Sequence, residues 1–197
     1  MVNYGVGNLR SVKKGIEKCG AKVLVTRNPK DLIESDAIVL PGVGAFAEAA
    51  KNLSPLSGVV AQSVKDGKTL FGICLGLQLL FTRSFEGGST NGLNLISGGI
   101  VKLPNDVKIP QMGWNTIEIV RPHPLLEGVQ NNSYVYFVHS YVAQPSRQEV
   151  TVATTEYGVK FPSMVARQNV FATQFHPEKS SKTGLVILRN FVKIVKR

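Results

Sequence analysis

Cysteine is nearly absent from this chain, since only two occur among 197 residues. Two cysteines cannot form the framework of a disulfide-rich secreted domain. The sequence also lacks an apolar run long enough to span a bilayer, and its first residues do not follow the pattern of a signal peptide. These absences argue against the disulfide-stapled and membrane-spanning classes, and we expect a protein of the reducing cytoplasm.

Acidic residues are scarce as well. The chain has 13 Asp and Glu residues against 23 Lys and Arg residues, which gives a formal net charge of +10. A charge of this size invites a nucleic-acid-binding interpretation. The basic residues are spread along the chain, however, with short clusters only at Lys13-Lys14 and at 193–197, and no recognition motif accompanies them. We expect no nucleic-acid partner, and either solubility or an acidic partner subunit accounts for the charge.

The length predicts a single domain over residues 1–197. Strand-like and helix-like runs alternate in the first half, which predicts an α/β fold of three layers with a largely parallel central sheet. The predicted strands are 2–4, 22–26, 37–40 and 69–73, and the predicted helices are 9–18, a short helix from 28, 45–53 and 56–66. Pro55 separates the last two helices. We expect the first strand to be short.

The second half has a different pattern. Six short β-like runs with turns between them are followed by an amphipathic helix over 183–195. The runs lie at 98–103, 116–120, 134–138, 150–155, 164–167 and 170–173. This pattern predicts an antiparallel extension of the same sheet, plus a hairpin.

Gly72-Ile73-Cys74-Leu75-Gly76 is the most informative stretch of the chain. It ends a strand-like run and opens a helix-like run over 75–81. A nucleophile between glycines at a strand-to-helix turn is the elbow of α/β hydrolytic enzymes, and a helix N-terminus favours a thiolate. A buried structural cysteine is the alternative. The other cysteine, Cys19, lies among apolar residues at helical spacing and is expected in the core.

A candidate base for this nucleophile occurs near the C-terminus, in Phe175-His176-Pro177-Glu178. A histidine and a carboxylate two residues apart can supply a base and the group that orients it. A loop histidine beside a solvated glutamate is a reasonable alternative for either residue alone, but not for the whole set. Cys74, His176 and Glu178 are therefore the catalytic candidates, and we expect neither a metal site nor a cofactor.

With these motifs the chain resembles class I glutamine amidotransferases, whose triad joins an elbow cysteine to a distant His-Pro-Glu. Within that class it is similar to the glutaminase subunits of imidazole glycerol phosphate synthases. The narrower resemblance rests on Tyr4-Gly5-Val6-Gly7-Asn8, on 40–46 (Leu-Pro-Gly-Val-Gly-Ala-Phe), and on Met112-Gly113-Trp114-Asn115 followed by 136–141 (Tyr-Phe-Val-His-Ser-Tyr). It implies a single amidotransferase domain that hydrolyses glutamine to glutamate and ammonia through a thioester.

The resemblance also implies which residues surround the nucleophile. Backbone amides near Gly42, Val43, Gly44 and Leu75 would form the oxyanion hole. The glycines would let the 41–44 loop adopt two orientations. The predicted glutamine-binding residues are Gln78, Glu86, Ser140 and Tyr141. His139 lies beside them, but it has no neighbouring carboxylate and is the weaker candidate for the base.

A partner subunit is implied too. In the family, ammonia passes into a (β/α)₈-barrel cyclase subunit, which makes imidazole glycerol phosphate and AICAR from the nucleotide PRFAR. Asn8, Met112, Trp114 and Tyr136 would lie at or near that interface, and a surface with Trp, Tyr and Met has the composition of a binding hot spot. Ordinary core packing of these aromatic residues is the alternative.

Three other functions remain open from the sequence. The chain could be the glutaminase subunit of another class I amidotransferase. It could be an unrelated elbow-type cysteine hydrolase, such as a peptidase or esterase. It could also be a binding module that kept the fold without the chemistry.

Overall fold

A computed structural model describes residues 1–5 and 7–196. Five α-helices occur in this part of the chain: α1 (Leu9–Glu17), α2 (Pro29–Glu34), α3 (Phe46–Lys65), α4 (Leu75–Leu79) and α5 (Ser181–Val195). Asn8 and Asn28 cap α1 and α2, because each side chain accepts a hydrogen bond from a backbone N–H in the first turn. Among the described residues, no helix is both long and apolar enough to cross a bilayer.

The strands of the first half lie between these helices and continue after them. They are β1 (Ala37–Gly42), β2 (Thr69–Cys74), β3 (Phe81–Ser84), β4 (Thr90–Asn91) and β5 (Ile96–Lys102). The strands of the second half are β6 (Gln111–Ile119), β7 (Ser133–His139), β8 (Tyr141–Pro145), β9 (Thr151–Tyr157), β10 (Val159–Arg167) and β11 (Val170–Thr173).

Seven of these strands form one mixed sheet in the order β1-β2-β11-β10-β9-β6-β7. The pairs β1–β2 and β2–β11 are parallel, whereas every pair from β11 to β7 is antiparallel. The antiparallel extension is therefore larger than the parallel part. A second sheet of four strands, β4-β3-β5-β8, was not predicted. The run at 98–103 was expected to extend the main sheet, but as β5 it pairs with β3 and β8 instead.

The core lies on both faces of the seven-stranded sheet. Alternate residues of β2 point to opposite faces, so Phe71 joins the cluster under α1 and α5 while Leu70 joins the cluster under α3. The Phe71 ring also stacks on Phe191 of α5, with ring centroids 4.9 Å apart. Helices, sheet and helices thus form the three layers that the alternating pattern predicted.

Three predictions for the first half were wrong. Residues 2–4 and 22–26 do not form full strands; they pair through an isolated parallel bridge between Val2 and Thr26, and the Met1 amino group donates to the Leu24 carbonyl oxygen at 2.8 Å. The helix predicted to break at Pro55 is continuous. Proline cannot donate to the carbonyl four residues earlier, but the Ser54 hydroxyl donates to that Lys51 carbonyl oxygen at 2.8 Å. The helix therefore continues through the proline.

The turn from β2 into α4 depends on close backbone contacts. The helix is shorter than predicted, because Phe81 already begins β3. A Cβ atom on Gly72 would lie 2.8 Å from the Gly76 carbonyl oxygen, and one on Gly76 would overlap the Leu40 carbonyl oxygen of β1. Both glycines are required for this packing, since the opposing atoms belong to the backbone and cannot rotate away.

We expect Gly76→Ala to destabilise the chain by about 3 kcal/mol, because the added methyl group must displace the backbone of β1. Gly58→Ala is the matched control. Gly58 lies on the exposed side of α3 with open space around its Cα, so alanine there should stabilise the helix by about 0.5–1 kcal/mol. Urea denaturation of both variants measures the difference, and equal free energies of unfolding would contradict it.

Candidate active site

Cys74 stands at the tip of the β2–α4 turn in an unusual backbone conformation. Its φ is 55° and its ψ is −108°, which a residue with a side chain adopts only when its surroundings enforce it. Gly42, the last residue of β1, is its register partner in the sheet. The cysteine side chain is buried, with 4% exposure. The turn therefore holds Cys74 in the elbow geometry that the sequence predicted.

His176 and Glu178 form a buried pair, and His176 interacts with Cys74. His176 Nδ1 lies 2.8 Å from Glu178 Oε1, and the two side chains are 2% and 1% exposed. The His176 backbone N–H donates to the Tyr136 carbonyl oxygen of β7 at 2.9 Å. With Nδ1 facing the carboxylate, Nε2 is the nitrogen left to exchange a proton.

The charge state of His176 is set by two opposing effects. Burial lowers its pKa, but interactions with the Cys74 sulfur and with the Glu178 carboxylate outweigh burial and raise the pKa of His176 to about 10. Nε2 has no hydrogen-bond partner of normal geometry among the described residues. Cys74 raises this pKa through its proximity and its charge.

A cavity of about 220 Å³ opens beside Cys74. Seven of the predicted oxyanion and glutamine-binding residues line it: Val43, Gly44, Leu75, Gln78, Glu86, Ser140 and Tyr141. Gly42 lies just outside the lining, where its Cα faces the Tyr4 hydroxyl and Leu75. A larger cavity of about 450 Å³ lies against α2 and α5, but none of the predicted site residues lines it. The smaller cavity is therefore the candidate site.

Two of the predicted glutamine-binding side chains already have protein partners. The Gln78 amide donates to the Tyr141 carbonyl oxygen at 3.1 Å and to Gln174 Oε1 at 3.3 Å. The Glu86 carboxylate accepts the Phe46 N–H at 2.8 Å and so caps the first turn of α3. Contacts of Gln78 and Glu86 with a ligand stay predictions, and the structure adds a supporting role for each.

Gln174 was missed in the sequence. It is fully buried, and its Nε2 lies 3.7 Å from the Cys74 sulfur. Gln174 precedes His176 by two residues, in a bend that follows β11. Nothing in the local sequence pattern marks it as a site residue.

Three of the four predicted interface residues, Met112, Trp114 and Tyr136, occupy one face of β6 and β7. Met112 and Trp114 are 66% and 52% exposed, and Trp114 is the register partner of Tyr136. The two rings meet edge to face with centroids 5.9 Å apart. The fourth, Asn8, caps the start of α1, and the nearby Val6 lies outside the described residues. Residues 112, 114, 134 and 136 therefore form an exposed apolar patch, which we call the β6–β7 face.

His139 lines the cavity but differs from His176 in its charge state. Its Nδ1 faces the Tyr141 carbonyl oxygen at 2.9 Å, so this nitrogen carries the proton. The ring packs against both Phe137 and Phe161, and burial lowers the pKa of His139 to about 4. A histidine with so low a pKa and no carboxylate partner is a weak base, which supports the preference for His176.

His139 should make the fold sensitive to acid. Between pH 6.5 and about 4 the unfolded chain binds a proton that the folded chain does not bind, so stability is present above pH 6.5 and is lost as the pH falls. The interval corresponds to about 3 kcal/mol. Urea denaturation at pH 7 and pH 4.5 should therefore show a smaller loss of stability in His139→Gln than in the wild type. Parallel losses in the two proteins would refute the assignment.

Comparisons with known proteins agree with this site. Residues 1–195 match the family described as "Glutamine amidotransferase class-I". The "Imidazole glycerol phosphate synthase subunit HisH" of Natronomonas pharaonis is 49% identical, with 98% of this chain and 92% of the relative covered. The proteins of that name from Methanosarcina acetivorans and Methanocaldococcus jannaschii are 49% and 48% identical, with 98% and 99% of this chain and 97% and 98% of the relatives covered.

Solved structures support the fold. A crystal structure of a glutamine amidotransferase superposes with a TM-score of 0.78 at 20% identity, covering 100% of this chain and 98% of that one. PurLQS from Thermotoga maritima superposes with a TM-score of 0.76 at 18% identity, covering 98% and 96%. With its elbow cysteine, its buried His-Glu pair and a family match along nearly its whole length, the chain belongs to the class I glutamine amidotransferases and, within them, to the HisH family.

Proposed function

We propose that this chain hydrolyses glutamine to glutamate and ammonia as the glutaminase subunit of an imidazole glycerol phosphate synthase. The observation that carries the proposal is the Cys74 elbow, which lines one small cavity and interacts with the buried His176–Glu178 pair. The cavity of about 220 Å³ suits a free amino acid better than a folded or extended peptide. Family membership supports the same reaction.

The chemistry starts with proton transfer from Cys74 Sγ to His176 Nε2. The sulfur attacks the side-chain amide carbon of glutamine, and the imidazolium returns its proton to the departing ammonia. Water, activated by His176, then cleaves the γ-glutamyl thioester and releases glutamate. Glu178 keeps the proton of Nδ1 in place and stabilises the charged ring, as the aspartate does in serine enzymes.

The oxyanion of each tetrahedral intermediate needs N–H donors. Leu75 N–H follows the nucleophile directly at the start of α4, and the loop of Gly42, Val43 and Gly44 supplies the second donor in this proposal. Gly44 has a φ of +119°, a conformation in which glycine is strongly favoured. A peptide between such residues can rotate, so the loop can gain or lose a donor without disturbing β1.

Cys74→Ala should abolish glutamine hydrolysis while the chain keeps its fold and its partner binding. Cys19→Ser is the control, because Cys19 lies outside the cavity with its sulfur near the Gly15 carbonyl oxygen. It should cost about 1 kcal/mol of stability at most and leave turnover unchanged. Ammonia release is the measurement. Residual hydrolysis by Cys74→Ala would defeat the proposal, and turnover of simple esters or peptides by the wild type would favour the cysteine-hydrolase alternative.

The partner in this proposal is a (β/α)₈-barrel cyclase subunit, which uses the ammonia to convert PRFAR into imidazole glycerol phosphate and AICAR. The β6–β7 face is the candidate contact surface, because Met112, Trp114 and Tyr134 expose large apolar side chains there. Lys179 adds a positive charge beside the patch, since its Nζ lies 5.6 Å from the centre of the Tyr136 ring.

Strand β7 offers a route from that surface to the chemistry. Its side chains form part of the β6–β7 face, while its Val138 carbonyl oxygen lies 3.7 Å from Cys74 Sγ and its Tyr136 carbonyl oxygen accepts the His176 N–H. A partner that shifts β7 therefore moves atoms in direct contact with Cys74 and His176. The effect of such a partner cannot exceed its differential affinity for the two states of the site.

We expect the isolated chain to be a poor glutaminase that the cyclase subunit activates, most strongly when the nucleotide ligand is bound. Trp114→Ala should weaken the complex by roughly thirty-fold, as expected for a hot-spot residue, and should reduce stimulation. Ile33→Ala is the control, since Ile33 is 60% exposed on α2, far along the sheet from β7. Titration of the partner with an ammonia assay measures both effects. Equal rates for the free chain and the liganded complex would make it an autonomous glutaminase.

A further inference from the structure

We propose that Gln174 is a further catalytic residue, whose side-chain N–H donates a hydrogen bond to the Cys74 sulfur and stabilises its thiolate. Gln174 Nε2 lies 3.7 Å from Cys74 Sγ, a reach that the large sulfur atom permits. The inference rests on the proposed function only in taking Cys74 as the nucleophile. Its direct consequence concerns the reactivity of one sulfur atom, which can be measured without glutamine.

The position of Gln174 is fixed by its backbone. The segment follows β11, and the Gln174 N–H donates to the Ser163 carbonyl oxygen of β10 at 2.9 Å. The Thr173 hydroxyl donates to the Phe175 carbonyl oxygen at 3.0 Å, and Phe175 is fully buried. These contacts fix the backbone at Gln174, although the residue lies outside regular secondary structure.

The orientation of its amide is fixed by Gln78. A glutamine side chain could present either its oxygen or its nitrogen to the sulfur. Gln78 Nε2 donates to Gln174 Oε1 at 3.3 Å, and the same nitrogen donates to the Tyr141 carbonyl oxygen at 3.1 Å. Because Gln78 Nε2 can only donate, Gln174 must turn its oxygen towards Gln78 and its nitrogen towards Cys74.

The donor matters most after Cys74 loses its proton. In the thiol form, Cys74 Sγ can donate to the Val138 carbonyl oxygen at 3.7 Å. Transfer of that proton to His176 Nε2 leaves a sulfur anion facing a carbonyl oxygen, which is unfavourable. The Gln174 N–H offsets this repulsion, since hydrogen bonds to charged groups are stronger than those between neutral groups. Gln174 thus favours the state that attacks the substrate.

A purely structural role predicts something different. If Gln174 only fills buried space, an apolar side chain of the same length should leave the sulfur unchanged. Gln174→Met removes the donor and keeps the length, and Gln174→Glu keeps the shape but replaces the donor nitrogen with an oxygen that repels a thiolate. Gln78→Met leaves the donor present but removes the group that orients it.

Alkylation by iodoacetamide at pH 7, followed by peptide mass spectrometry of the intact isolated chain, separates these roles. Cys19 is an internal reference, because it lies outside the cavity. We expect alkylation of Cys74 to be about ten-fold slower in Gln174→Met, slower still in Gln174→Glu, and about three-fold slower in Gln78→Met, with Cys19 unchanged. A Cys74 rate within two-fold of the wild type in Gln174→Met would overturn the proposal.

A folding failure is recognisable in the same experiment, because both cysteines would then react quickly. In that case Gln78→Met decides, and an unchanged Cys74 rate in that variant overturns the proposal. The glutaminase assay of Cys74→Ala is separate. Slower alkylation in Gln174→Met together with full hydrolysis by Cys74→Ala would remove the proposed function while leaving the role of Gln174 intact.

Discussion

The rest of the site depends on one constraint, the tight backbone turn between β2 and α4 at Cys74. A cysteine at φ 55° is held there because β1 and α4 approach so closely that glycine is required at positions 72 and 76. The free energy of this conformation comes from the two apolar clusters on either face of the sheet, not from the turn itself. Parallel strands in the first half of the chain thus position Cys74.

The antiparallel half of the sheet positions the residues and carbonyl oxygens that contact Cys74 or His176. β11 leads into the segment that carries His176, and β7 supplies two carbonyl oxygens that hold Cys74 and His176 from the opposite side. The surroundings of the two histidines also give them different charge states. Of the two buried histidines, His176 faces a carboxylate and has a raised pKa, while His139 packs against two phenylalanine rings and has a lowered pKa.

Much of this arrangement was visible in the sequence, because its elements follow local rules. The strands that form β1, β2 and β11 and the helices α2 and α5 are marked by apolar runs and caps, and the Cys74 elbow is marked by its glycines. The continuous α3 could not be predicted, since it depends on one hydroxyl group of Ser54 that replaces a missing donor. The four-stranded sheet was missed because β5 pairs with the distant β8, which local sequence patterns do not reveal.

The site residues likewise divide into those that the sequence predicted and those that it did not. Seven of the residues that line the cavity were predicted from sequence motifs and from the family resemblance. Gln174 was not predicted, since a glutamine in an apolar run has no chemical signature of its own. Its significance comes from two neighbours, Cys74 and Gln78, which are about a hundred residues away in the chain.

The alternation of side chains along β7 determines which changes to this strand the fold tolerates. Its odd-numbered residues Val135 and Phe137 are buried in the core, while Tyr134 and Tyr136 face outwards. On the proposed partner surface, the outward side chains can therefore change, or be redesigned, without repacking the interior. The backbone of the strand is shared, so insertions and deletions in β7 are excluded even where substitutions are tolerated. Directed-evolution libraries for a new partner should vary identity at these positions and keep the strand length constant.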